Sequence, residues 1–323
     1  MYKYREILNT ISKHISEGTE FLPDLALEVA NFQLSNNEVY RKFCMKFGIS
    51  SFRKIEELIF LPVEFFKYTE VFTCGRKKGK FVSSGTTGNR SEVFFNEDSL
   101  GLYHRAALRA FPFRGKIYSL IPPYRLFPLS SLSYMLEIFS YEMEVEYLNQ
   151  NYELDPQEIY PLLLDKKGIL FLTSSQLFKL ICWMCEEGLR LDNEFIIIDT
   201  GGYKNLKAVV RNVKCEDLTP DEYRRQELHR IAAKYFPNSK FWTEYGMSEL
   251  FSQFYAPSSG LYREHHFAKI FTRGRGLLKV FDFANLCTVS ALLVPDIVDV
   301  KDGEFEVIGR ATQEKRGCGY VFR

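Results

Sequence analysis

The chain of 323 residues carries 42 Lys and Arg against 41 Asp and Glu, and its net charge of +1 gives no global field to draw a polyanion, which sets nucleic acid aside as a partner. With 46% hydrophobic and 26% charged residues, 29 Phe and 19 Tyr, the composition excludes disorder, and the length of about two average domains buries a core without disulfide or metal staples. The polar N-terminus MYKYREILNTISKHISEGTE has no apolar signal region, no apolar run approaches the roughly 18 residues of a membrane span, and seven scattered cysteines read as reduced thiols, so a cytoplasmic location is expected.

Helical periodicity opens the chain at residues 4–15, at 36–47 behind a Ser35 cap, and at 51–59, stopping before Pro62. Strand-like and helix-like segments then alternate. Phe81-Val82 leads into a Ser/Gly/Thr loop, residues 92–95 are extended, 97–111 helical, and 116–121 a short apolar strand ended by Pro122-Pro123. Residues 130–139 read as helix, 144–148 as strand, 155–164 as a helix with Pro156 in its first turn, and 169–172 as strand. A helix over 174–187 ends near Gly188, 195–198 is a buried strand, and 220–235 a long amphipathic helix. This alternation predicts parallel βαβ units. From about residue 240 short strands dominate, with turns at Ser258-Ser259-Gly260, Arg273-Gly274 and Asp302-Gly303, so the fold class is α/β with a β-rich C-terminal part.

Three segments carry chemistry. In Phe81-Val82-Ser83-Ser84-Gly85-Thr86-Thr87-Gly88-Asn89-Arg90, two glycines among four hydroxyls can wrap a phosphate with N–H and O–H groups, supplying no fixed charge, although the same residues also make a plain hairpin turn. It is not the nucleotide-binding loop ending in Gly-Lys-Ser/Thr, because no Lys follows Gly88 and the next segment reads as a strand. In Trp242-Thr243-Glu244-Tyr245-Gly246-Met247-Ser248-Glu249-Leu250, an aromatic suits a flat base, a hydroxyl a phosphate oxygen, and a carboxylate Mg²⁺; a strand end with a core aromatic reads the same way. Asp199-Thr200-Gly201-Gly202-Tyr203-Lys204 puts a glycine pair outside the carboxyl end of a parallel strand, where a ligand can approach the backbone.

In this order the three segments resemble the adenylate-forming superfamily, whose phosphate loop reads Ser-Ser-Gly-Thr-Thr-Gly and whose adenine and metal motif reads Tyr-Gly-x-Ser/Thr-Glu. The resemblance is closer to the LuxE-like acyl-protein synthetases. It runs through Ser130-Ser131-Leu132-Ser133-Tyr134-Met135, through Tyr245 to Tyr255, and through Phe281-Asp282-Phe283-Ala284-Asn285-Leu286 to Gly309-Arg310 and Arg316-Gly317-Cys318, covering the chain from about residue 60 onward. It implies that Ser83, Ser84, Gly85, Thr86, Thr87 and Gly88 hold the ATP phosphates, that Gly201 and Gly202 flank adenine, and that Tyr245 and Gly246 cover the base. Ser248 then touches the α-phosphate, Glu249 ligates Mg²⁺, and Asp296 and Arg310 hold the ribose, although Val294-Pro295-Asp296-Ile297-Val298 departs from the usual context of that Asp. Thr86, Ser248 and Cys318 would be the catalytic residues.

Most members of that superfamily continue after the Gly-Arg pair into a mobile domain. The chain ends 13 residues after Arg310, so the resemblance implies an adenylate-forming core without it, as in the acyl-protein synthetases, where a Cys near the C-terminus receives the acyl group. Cys318 holds that place, with Lys315 and Arg316 to favour its thiolate; a small buried packing residue is the other reading. The expected division is an N-terminal helical segment (1–75), the core (76–310) and a tail (311–323). Other candidates read more simply: Cys182 and Cys185 as a core helix face, His265-His266 as a lone pair, Arg76-Lys77-Lys78 as a solvated hairpin tip, and residues 124–139 as core aromatics or an acyl pocket.

The expected function is ATP-dependent activation of a carboxylic acid, a fatty acid above all, to an acyl-adenylate. A thioester then forms on Cys318 and passes to an acyl-accepting protein, such as an acyl reductase or carrier protein. An aryl or short-chain acid ligase loading coenzyme A or a carrier, and a non-catalytic nucleotide-binding scaffold, are the alternatives.

Overall fold

A computed structural model describes residues 2–84, 89–201, 225–313 and 320–321. The chain starts with three helices, α1 (Tyr2–Glu17), α2 (Pro23–Asn36) and α3 (Glu38–Met45). Ile7, Ile11 and Ile15 recur at helical spacing on α1, and all three are fully buried. The sequence reading misses α2, which starts with Pro23 at its first turn and has no side-chain cap. It also misplaces the next cap: Asn37, not Ser35, accepts the Tyr40 N–H at 2.9 Å.

The helix expected over 51–59 is a single 3₁₀ turn, Ile55–Glu57. Its backbone groups are taken by side chains instead. Asn31 accepts the Phe52 N–H and donates to the Phe52 carbonyl, both at 2.9 Å, and the Glu57 carboxylate accepts the Arg53 N–H at 2.7 Å. Strand β1 (Leu61–Pro62) follows, then a 3₁₀ helix over Val63–Lys67, the hairpin of β2 (Gly79–Val82) and β3 (Glu92–Phe95), and α4 (Glu97–Ala110).

Next come β4 (Ile117–Ser119), α5 (Ser131–Ser140), β5 (Val145–Tyr147), α6 (Pro156–Leu163), β6 (Gly168–Thr173), α7 (Ser174–Glu186), β7 (Phe195–Thr200), α8 (Arg225–Ala232), β8 (Lys240–Met247) and β9 (Leu250–Pro257). These strands form one sheet in the order β5-β4-β6-β7-β8-β9. Every pair is parallel except β8–β9, as the strand–helix alternation requires. Of the helix expected over 220–235, the part before residue 225 lies outside the described residues.

Alternation along the sheet divides the core. Ile117, Ile169, Phe171 and Ile198 join the cluster that also holds residues of α1, α4 and α5, while Tyr118, Leu170, Leu172 and Ile197 face the other side with Leu163, Phe178, Leu228 and Ile231 of α6, α7 and α8. The parallel sheet is therefore covered on both faces.

The C-terminal half adds β10 (Tyr262–Arg263), β11 (Ala268–Ile270), β12 (Gly274–Asp282), β13 (Ala291–Lys301) and β14 (Glu304–Arg310), in the order β10-β14-β13-β12-β11, with β1 parallel to β13. The β10 and β11 strands are as short as expected, with 2 and 3 residues, whereas β12, β13 and β14 are longer, β13 reaching 11 residues. The β13–β14 turn is the predicted Asp302-Gly303 pair, and both residues have positive φ, 52° and 79°, as a tight hairpin needs. Cys44, Cys74, Cys182 and Cys287 are free and buried. No helix among the described residues is long and apolar enough to cross a membrane.

Candidate functional site

The site lies where the C-terminal end of β8 meets β13 and β14. Asp296 and Arg310 are cross-strand partners in the β13–β14 ladder, beside a bulge after Ile297 that shifts the register. The Arg310 Nε stands 3.6 Å from one Asp296 oxygen, and the Tyr245 hydroxyl donates to the other at 2.8 Å. The Tyr245 ring packs among Phe254, Tyr262 and Phe305. Burial first, and then the neighbouring Asp296 carboxylate, push its phenol pKa well above the ordinary value, so it stays a donor.

One turn further on, Ser248 and Glu249 connect β8 to β9. The Ser248 hydroxyl is 3.2 Å from that of Ser131, the first residue of α5, which places it at a helix N-terminus where partial positive charge favours an anion. Glu249 is buried, with 7% of its surface exposed. Burial raises its pKa; Ser91, its own backbone N–H, Lys67 and Arg310 oppose the rise. The buried Ser91 hydroxyl faces this carboxyl from outside ordinary hydrogen-bond geometry and has no other partner.

Ser91 lies at the foot of the hydroxyl-rich loop. Its N–H donates to the Ser83 hydroxyl at 3.0 Å, and the Val82 N–H donates to the Leu129 carbonyl at 2.8 Å, tying the hairpin to the segment that leads into α5. The turn carrying Glu249 is pinned from below. Asn285 donates to the Glu249 carbonyl at 2.7 Å and accepts the Phe251 N–H at 2.9 Å, while Asp282 accepts from both the N–H and the hydroxyl of Ser252. The Asp282 to Leu286 stretch singled out in the sequence therefore holds this turn.

Gly246 has a steric reason. A Cβ there would collide with the carboxylate of Glu244, which is buried and takes a hydrogen bond from the Thr200 hydroxyl. Gly201, with φ of +93°, turns the chain at the end of β7. Beside it the Asp199 carboxylate receives the Ser174 hydroxyl and lies 2.7 Å from His229 Nε2, whose Nδ1 is 3.2 Å from the Ser258 hydroxyl.

Structure thus brings Ser83, Tyr245, Ser248, Glu249, Asp296 and Arg310 into one neighbourhood. Gly85, Thr86, Thr87, Gly88, Gly202 and Cys318 lie outside the described residues. Sequence reasoning gave no role to Glu244, Ser91, Ser131 or the Asp199–His229 pair. Asp199 and Glu244 carried a usable signal, being acidic residues at the ends of apolar strands, whereas nothing local marks Ser91 or His229. The His265 ring stacks between Phe254 and Phe267, at 5.4 and 4.9 Å, and its Nε2 is 3.0 Å from the Gln253 carbonyl. The basic run at 76–78 is surface, with Lys77 and Lys78 paired to Glu70 and Glu97. No group of three or more His, Cys, Asp or Glu among the described residues could hold a metal ion.

No protein-family profile and no curated protein matches the chain in sequence. Solved structures do match in fold. The inhibitor-bound N-terminal domain of FACL13 from Mycobacterium tuberculosis superimposes with a TM-score of 0.50 at 15% identity, over 73% of this chain and 62% of that one. The fold is that of the N-terminal domain of adenylate-forming enzymes. ATP-bound MatB from Rhodopseudomonas palustris gives a TM-score of 0.48 at 14% identity over 74% of this chain and 50% of its own. An AMP-forming acyl-CoA synthetase/AMP-acid ligase II-like protein from Dyadobacter fermentans gives 0.42 at 14% identity, over 72% and 59%. The chain spans between half and about three fifths of the length of these structures. The bond between Tyr245 and Asp296 joins the parallel sheet to the C-terminal sheet.

Proposed function

We propose that the protein activates a carboxylic acid with ATP, forming an acyl-adenylate and releasing pyrophosphate. The observation that supports this most is the convergence of Tyr245, Asp296 and Arg310 with Ser248 and Glu249 at the foot of the hydroxyl-rich loop. An aromatic, an acceptor for sugar hydroxyls, a hydroxyl at a helix N-terminus and a carboxylate are the groups a nucleoside triphosphate needs around it. Asp296 would accept the ribose hydroxyls, Tyr245 would fix Asp296 and border the base, and Gly201 and Gly202 would let adenine approach. The Ser248 hydroxyl would donate to the α-phosphate, and the loop from Ser83 through Gly85, Thr86 and Thr87 to Gly88 would cradle the polyphosphate.

Glu249 and the Ser91 hydroxyl fit Mg²⁺ as this ion is usually held, by one carboxylate together with substrate phosphates rather than by a protein cage. Mg²⁺ would supply charge neutralisation on the phosphates, and binding would favour the ionised form of Glu249 that burial disfavours. In the reaction a carboxylate oxygen of the acid attacks the α-phosphorus as its bond to pyrophosphate breaks. Donors aimed at the α-phosphate stabilise the charge that develops there.

The acid in this reading is a fatty acid and the acceptor a thiol. Cys318 attacks the adenylate carbonyl, AMP leaves, and the thioester passes to a partner protein, as in the LuxE-like acyl-protein synthetases. Support for this last part is the sequence resemblance alone. The deciding experiment is carboxylate-dependent exchange of labelled pyrophosphate into ATP over a series of acids. Exchange that rises with chain length supports the reading, preference for benzoate-like acids favours the aryl-ligase alternative, and no exchange with any acid refutes adenylation.

A further inference from the structure

The most exposed large apolar side chains among the described residues are Tyr68, Tyr141, Met45 and Phe47, and three of these four stand together. Met45, 62% exposed, is the last residue of α3, and Phe47, 59% exposed, lies in the turn after it. The Phe47 ring is 5.4 Å from that of the half-buried Phe43, which is 5.2 Å from that of Phe65. Tyr68, 74% exposed, closes the 3₁₀ helix that carries Phe65, and its N–H donates to the Phe65 carbonyl at 3.1 Å. Single apolar side chains on a surface are ordinary, whereas a patch gathered round one anchored ring marks a contact site.

The turn that holds Phe47 projects from the surface. The N–H groups of Phe47 and Gly48 donate back to the Cys44 and Met45 carbonyls at 2.9 and 3.0 Å, and Gly48 takes a φ of 73°. A methyl group at Gly48 would have no neighbour within 4 Å. Met45, Lys46 and Phe47 therefore form an exposed tip.

Charge decides the partner. Residues 41–54, RKFCMKFGISSFRK, hold five basic side chains and no acidic one, in a chain whose charges otherwise balance at 42 against 41. All five are exposed. Lys42 pairs with Glu38, whereas Arg41, Lys46, Arg53 and Lys54 make no ion pair among the described residues. Arg41 and Lys42 lie one helical turn before Met45 and Lys46, so cations flank the apolar tip. A second copy of this chain, meeting the patch through a two-fold contact, would bring the same cations to face these. A hydrocarbon layer beneath anionic headgroups accepts both the apolar tip and the charges behind it.

We propose that the turn after α3 docks the protein on an anionic lipid surface, with Met45 and Phe47 inserted and Arg41, Lys46 and the neighbouring cations on the headgroups. The two signals act together, since a small apolar insertion or a few charges alone gives only marginal attachment. Docking does not depend on the acyl-activating chemistry proposed above; it brings the protein to where long-chain acids partition.

The test is co-sedimentation of the full chain with vesicles of phosphatidylcholine alone and of phosphatidylcholine mixed with phosphatidylglycerol. Wild type should bind the mixed vesicles about tenfold or more tightly than the neutral ones, and high salt should release it. Phe47→Ser should weaken binding about tenfold or more, the scale of one buried aromatic ring, and Lys46→Gln about fivefold, the scale of one cation at an anionic surface. Phe47→Trp should show blue-shifted emission, read against wild type, with the mixed vesicles and not with the neutral ones, because its ring leaves water. Thermal midpoints should hold, since these side chains are exposed; if Phe47→Ser unfolds the chain by losing Phe43, Met45→Ser and Lys46→Gln give the same comparison. Equal binding to both vesicles, binding to neither, variants that bind like wild type, or an unshifted Phe47→Trp spectrum overturns the proposal. A wild-type dimer that Phe47→Ser turns into a monomer in light scattering also overturns it, because the patch then covers a second copy.

Discussion

His265 makes the protein acid-sensitive in a way that can be worked out. Its ring is sandwiched between Phe254 and Phe267, and burial lowers its pKa from 6.5 to about 4. The folded state therefore binds fewer protons than the unfolded one, and the stability involved is present above pH 6.5 and is lost as pH falls through that value toward 4. A gap of that size corresponds to about 2 kcal/mol between pH 7 and pH 5, trimmed to about 1 to 2 kcal/mol because part of the ring edge meets solvent. Asp282 acts in the opposite direction. Fully buried, with its pKa raised from 3.8 to about 6, it binds protons more tightly when folded and adds about 1 kcal/mol over the same fall in pH. The wild-type curve alone thus mixes these two with other groups that burial shifts, among them His14 and His266, whose pKa values it lowers. His265→Phe keeps the aromatic stack, removes the titration and leaves Asp282 in place. Urea unfolding of both proteins at pH 7 and pH 5 isolates the histidine: wild type should lose about 1 to 2 kcal/mol more than the variant on acidification. Equal losses in the two proteins would refute the argument.

Three further outcomes follow from the site. Glu249→Gln should fold normally yet lower Mg²⁺-dependent pyrophosphate exchange by about a hundredfold or more, as removal of an electrostatic stabiliser does, and retained exchange would show that Glu249 does not hold the metal. Gly246→Ala places a methyl group on the Glu244 carboxylate, which Thr200 holds, and should cost about 1 to 3 kcal/mol; an unchanged denaturant midpoint would mean that Glu244 swings aside freely. Cys318→Ser should leave pyrophosphate exchange largely intact while abolishing hydroxylamine-labile acylation of the protein, seen by mass spectrometry, and an acylated Ser variant would refute Cys318 as the acceptor.

What the sequence determined by itself was whatever is written locally. Strict alternation of apolar strands with capped helices between residues 117 and 200 specified the parallel sheet, because buried βαβ strands are apolar on both faces and each helix carries its own start and stop signals. Tyr245, Ser248 and Glu249 were legible as one short motif, and Asp302-Gly303 as a hairpin turn, for the same reason. Local signals failed where distant groups compete for the backbone. Residues 51–59 have a helical pattern of apolar side chains, but Asn31 and Glu57 take their amide groups; α2 has no polar cap to announce it. Tertiary structure alone decided the site's partners. Asp296 lies 51 residues from Tyr245, and only the meeting of two sheets brings its carboxylate to that hydroxyl. Ser91 reaches Glu249 because the β2–β3 hairpin is tied to the approach to α5, and His229 reaches Asp199 because α8 packs over β7. Hydrogen bonds and charge act through space, whereas periodicity and capping act along the chain, so a single sequence discloses the elements and the motif while the contacts that make them a site come from folding.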